Sequence, residues 1–190
     1  MQVTSKETYK VVRAILRDRK FKQYQISKKE KITFSLVNRV VNWMVSRGYV
    51  AKRQGYYELV STGAIFSLFP IYRQMKPYET FDVALKEKEA LGLINRKAAL
   101  CLSSALSTYD DYYRDSAIHA YVLDEDIVDE LKHLPKGFTH VELYNEDLND
   151  EDFEKKGGRM VTSKIRTIID LFCANKAYAA ERLIKKEWIG

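Results

Sequence analysis

The segment TFSLVNRVVNWMVSRGYV, Thr33 to Val50, restricts what this chain can fold into more than any other. Leu36, Val37, Val40, Val41 and Met44 recur at three- and four-residue spacing, which gathers them on one face of a helix. Gly48 stands where a helix needs a left-handed C′ residue. The run that follows, YVAKRQGYYELV, has two strand-like halves around Gln54-Gly55, a two-residue hairpin signal. A helix that passes almost directly into a hairpin must bury its apolar face against elements from elsewhere in the chain. The preceding residues supply them. SKETYKVVRAILRDRK, with Ser5 as cap, sets Tyr9, Val12, Ile15 and Leu16 on one helical face. An extended stretch near Phe21 leads to a second helix of about two turns in YQISKKEK, and Thr33 caps the third. Ser61 or Thr62 opens a fourth helix, predicted to run through Phe69 and to stop at Pro70. This order is that of a winged helix-turn-helix, assigned to residues 1–75.

The polar side of the third helix carries Ser35, Asn38, Arg39, Asn42 and Ser46. A merely solvated face is usually populated by Lys and Glu, which are good helix formers and pair at i,i+4, whereas Asn and Ser are poor ones. There is no acid between Lys31 and Tyr57. Residues 1–80 hold 16 Lys+Arg against 5 Asp+Glu, a net +11, and residues 81–190 hold 16 against 21, a net −5. A chain so basic in front is expected to meet a polyanion there. The candidate site for double-stranded DNA follows from side-chain chemistry. Ser35, Asn38, Arg39 and Asn42 can bond base edges in the major groove. Thr33 and Phe34 would approach the groove at the helix N-terminus, Phe34 against a thymine methyl. Lys28, Lys29 and Lys31 suit phosphates, and Lys52, Arg53 and Gln54 at the hairpin tip suit a phosphate or the minor groove.

Behind a junction at Tyr72 to Phe81, interrupted by Pro77, a small mixed α/β domain is expected over residues 76–190, making the whole chain α+β. The pattern predicts a short helix from Asp82 to Leu91 and a helix capped by Asn95 reaching about Leu106. A strand AIHAYVL, a charged helix DEDIVDELKHL and a strand THVELY follow. The acidic stretch 145–158, NEDLNDEDFEKKGG, reads as a solvated loop, and two helices capped by Thr162 or Ser163 complete the chain.

Enzyme and cofactor chemistry find little support in the residues. Asp124 and Asp126 could hold Mg²⁺, but no glycine-rich phosphate turn precedes them and acids favour a helix N-terminus anyway. A nuclease would need a Glu-x-Lys strand, and two positions beyond Glu142 stands Tyr144. Asp147, Asn149 and Glu151 alternate as calcium ligands would, yet Asp152 occupies the place of the required glycine. His119, His133 and His140 show no nucleophile–base arrangement, and Cys101 and Cys173 lie in apolar stripes without a CxxC pair. No enzyme activity, metal or cofactor is therefore expected. The lack of an apolar leader or spanning segment, together with the two isolated cysteines, predicts a cytoplasmic protein with no membrane association.

The run KKEKITFSLVNRVVNWMVSRGYVAKRQGYYELVSTGAI resembles prokaryotic winged helix regulators. In the second half, AALCLSSALSTY before the strand AIHAYV, and RMVTSKIRTIIDLF later, look like the AbiEi-type antitoxin and transcriptional regulator family. The matching positions are Ser104, Ala105 and Leu106, then Thr162, Ser163, Arg166, Thr167, Asp170 and Leu171. The resemblance implies a winged helix that represses its own promoter, with a second domain that neutralises a nucleotidyltransferase toxin or assists DNA binding. On the residues alone, Arg166 and Asp170 are an i,i+4 structural pair.

Overall fold

A computed structural model describes residues 5–71, 73–145 and 152–189. It is an α+β chain with two sheets, and it divides into two compact units, Met1–Tyr72 and Arg73–Gly190.

In the first unit α1 spans Lys6–Asp18, and the Ser5 hydroxyl accepts the Thr8 N–H at 3.1 Å. Arg19, at φ 56°, turns the chain out of α1 into β1, Lys20–Phe21. Then come α2 (Gln23–Lys29), α3 (Phe34–Ser46), β2 (Val50–Arg53), β3 (Tyr56–Leu59) and α4 (Thr62–Phe66). The strands form an antiparallel sheet in the order β1-β3-β2, in which Phe21 lies opposite Tyr57 with their rings stacked. Val37, Val40, Val41 and Met44 of α3 are fully buried, as are Ile15 and Leu16 of α1 and Ile65 and Phe66 of α4. Each such side chain contributes about 1.5–3 kcal/mol relative to exposure. Two expectations need correction. Thr33 holds the N-cap backbone position of α3, but its side chain makes no capping bond. The α2–α3 turn is instead tied by Ser27, whose hydroxyl donates to the Ile32 carbonyl at 2.7 Å. Helix α4 stops at Phe66 rather than Phe69, and Pro70 lies inside a 3₁₀ turn, Phe69–Ile71, whose φ the proline ring already matches.

The second unit is built on a six-stranded mixed sheet, ordered β4-β7-β6-β5-β9-β8. Its strands are β4 (Glu79–Val83), β5 (Ala98–Leu100), β6 (Ala117–Val122), β7 (Thr139–Asn145), β8 (Phe153–Lys156) and β9 (Arg159–Thr162). β6 runs parallel to β7 and β5 to β9; the remaining neighbours are antiparallel. The helices are α5 (Glu87–Ile94), α6 (Leu102–Leu106), α7 (Asp126–Lys132), α8 (Lys164–Cys173) and α9 (Ala177–Ile184).

Here the predicted elements shift. Asp82 belongs to β4, opposite His140, so the expected helix begins only at Glu87. Asn95 closes α5 instead of opening the next helix: its amide donates to the Gly158 carbonyl and accepts the Met160 N–H, both at 3.1 Å. Ala98–Leu100 is a strand, and all three residues are buried in the middle of the sheet. The acidic stretch is not all loop, because Phe153–Lys156 pairs with Arg159–Thr162 through a turn at Gly157-Gly158. The residues weighed as calcium ligands, Asp147, Asn149 and Glu151, lie outside the described residues, and Asp152, which stands in the place of the required glycine, is completely buried, 3.6 Å from Arg166.

Candidate nucleic-acid interface

Helix α3 owes its two faces to the sequence period, and Gly48 ends it at φ 73°, with the Gly48 N–H on the Val45 carbonyl and the Tyr49 N–H on that of Met44. This closure sends Val50 directly into β2. Ser35, Arg39 and Asn42 are exposed and Asn38 is half-buried, and they follow one side of the helix. Phe34 at the N-terminus is 50% exposed, and Thr33 beside it is also open. Lys28, Lys29, Lys31, Lys52, Arg53 and Gln54 are exposed as well.

Their partners separate these residues. Among the described residues, Lys31, Arg39 and Lys52 have no acidic neighbour. Asn42 donates to the Asn38 side-chain oxygen at 3.1 Å, so each amide orients the other. Lys29 lies 3.7 Å from Asp18, and Lys28 stands over the Tyr24 ring at 4.9 Å. Arg53 is engaged: its Nε donates to Glu58 at 3.0 Å across the hairpin, and Lys20 reaches the same carboxylate at 3.4 Å. Arg53, followed by Lys20, holds the Glu58 carboxyl below its ordinary range against the opposing effect of desolvation. The acid at the other end of the gap is silenced too. Glu30 is buried and salt-bridged to Arg13 at 3.3 Å and Arg17 at 2.8 Å.

Two further residues belong to this surface. Tyr24 is 58% exposed under Lys28, and Arg47 lies 5.9 Å from the Trp43 ring. Both pairs are four residues apart on a helix, a spacing visible in the sequence.

In the second unit Asp124 accepts the Asp126 N–H at 3.1 Å, and Asp126 is bridged to Lys97, which places these acids at the start of α7 as structural groups. The histidines are less scattered than they read. His119 Nδ1 and His140 Nε2 face the same carboxylate, Glu142, at 3.1 and 3.4 Å. Burial lowers the His119 pKa, whereas the hydrogen bond to Asp82 raises that of His140. Among the described residues no group of three or more His, Cys, Asp or Glu is arranged to hold a metal ion, and no helix is long and apolar enough to cross a membrane. Burial pushes both thiols up, that of Cys173 to about 11. Comparison of the chain with known protein families, with curated proteins and with solved structures finds no match in any of the three.

Proposed function

We propose that the first unit is a winged helix that binds double-stranded DNA, with α3 in the major groove and the β2–β3 hairpin as its wing, and that the protein is a sequence-specific transcriptional regulator. The observation that carries this reading is the exposed face of α3 and the hairpin, which over Lys31 to Tyr57 contains no acid and whose flanking acids, Glu30 and Glu58, are already neutralised. Arg39, without an acidic neighbour among the described residues, can bond guanine at O6 and N7. Asn42, held by Asn38, keeps its own oxygen and one N–H for adenine. Lys28, Lys29 and Lys31 anchor phosphates. On the wing Lys52 takes that role and Arg53 stays with Glu58.

Selection of bound sequences from random duplex at two salt concentrations tests the proposal: a defined motif is expected to be enriched and to persist at the higher salt. On the selected duplex Arg39→Ala should cost about 1–3 kcal/mol and relax one base position, while Lys52→Ala weakens all sequences alike. Equal losses on selected and random duplex for both variants would remove Arg39 from base reading.

A further inference from the structure

A cleft of about 370 Å³ opens in the second unit between α5, α6 and the strands β5, β6 and β9. That is within the size range of small-molecule sites. Leu91, Leu100 and Ile118 give it an apolar wall, and Ser103, Ser104, Ser107 and Thr108, with the exposed Ser116 at its rim, give it hydroxyls. Three of these hydroxyls are used inside the protein. Ser104 accepts the His119 N–H where the β5–β6 ladder ends, and Ser107 and Thr108 donate to carbonyls three residues back. Ser103 is the buried exception: it is 3% exposed and its hydroxyl has no hydrogen-bond partner among the described residues. Helix α6 starts at Leu102, so no preceding helical turn offers Ser103 a carbonyl. A buried, unsatisfied hydroxyl is costly unless something bonds it, and a serine needs only one χ1 rotation to reach a guest.

The charges around the cleft narrow the chemistry of that guest. Asp115 is held by Lys176 and His119, and Asp111 and Arg114 face each other at 3.8 Å. What remains is one cation and one anion, Arg159 and Glu87, neither with an oppositely charged neighbour among the described residues. Arg159 is positioned by Asn95, which bonds both residues flanking it, Gly158 and Met160. We propose that this cleft binds a small zwitterion of the α-amino-acid type, its carboxylate on Arg159 and the Ser103 hydroxyl, its ammonium on Glu87. This does not depend on the DNA-binding reading.

Calorimetric titration of the full chain with each standard amino acid, and with ribose, glucose and acetate as controls, tests it. At least one amino acid should bind at millimolar concentration or below, and the controls should not. Arg159→Gln and Glu87→Gln should each weaken that binding about tenfold or more, with the melting temperature of the free protein unchanged. Ser103→Ala should weaken it several-fold yet leave the urea midpoint of the free protein equal or higher, since that hydroxyl has no bond to lose among the described residues. No binding by any amino acid, equal binding by ribose or glucose, or affinity indifferent to both charge-removing variants would overturn the proposal.

Discussion

Arg166 and Asp170 are both fully buried, and the pair is part of a larger network. Arg166 Nε donates to Asp170 at 2.8 Å, Arg73 donates to the same carboxylate oxygen at 2.7 Å, and both guanidiniums donate to the Tyr121 hydroxyl. Asp170→Ala strips the two cations of a shared carboxylate in a low-dielectric interior and should cost about 3–5 kcal/mol, read from urea denaturation. A loss near that of an exposed pair would mean that the other partners of the arginines suffice. Asp115 gives a pH dependence. Burial opposes its charge, but the hydrogen bond and charge of Lys176, with help from His119, hold its pKa down at about 2. Because the folded value lies below the unfolded value of about 3.9, the stabilisation is complete above about pH 4 and is lost as pH falls toward 2. The urea midpoint of Asp115→Asn should therefore fall less steeply across that window than that of the parent. Parallel profiles would exclude Asp115 as a contributor.

Helix ends and strand junctions rest on two glycines that act for different reasons. Gly48 has open space where a Cβ would stand, so only its φ of 73° resists substitution. Gly48→Ala should cost about 1 kcal/mol, measured as a lowered melting temperature. At Gly137 a Cβ would stand 2.3 Å from the Ala84 Cα and 2.5 Å from its nitrogen, both backbone atoms. Gly137→Ala must push β4 away from the segment ahead of β7, and a loss of about 1–3 kcal/mol, larger than at Gly48, is expected. The reverse order would mean that this crossing yields easily. These elements also show where reading along the chain fails. Ala98-Ala99-Leu100 is apolar throughout because successive side chains alternate between the two faces of the sheet and all three are buried, and so short a run has no period to distinguish strand from helix. Asn95 looks like an N-cap by type, yet it satisfies the hairpin turn 63 residues further on.

Across the whole molecule the charge divides with the units. Residues 1–72 carry 14 Lys+Arg against 4 Asp+Glu, a net +10, and residues 73–190 carry 18 against 22, a net −4, which together restore the overall +6. If Lys28, Lys29, Lys31 and Lys52 each neutralise a phosphate, log K for duplex DNA should fall against log salt with a slope on the order of −4. A slope near zero would contradict the proposed interface. The sequence by itself determined what depends on neighbours within a turn or two: the two faces of α3, the Ser5 cap, the stop at Gly48 and the hairpin at Gly55. It also placed the candidate interface, since exposure on a helix follows directly from its period. Only the tertiary structure decided the rest. It put β5 between β6 and β9, set Arg53 against Glu58, buried Asp152, joined Arg73 to Asp170 across 97 residues and left the Ser103 hydroxyl without a partner among the described residues. Those outcomes depend on which distant segments share a sheet edge or a low-dielectric interior, and no short-range pattern of residue types encodes that choice.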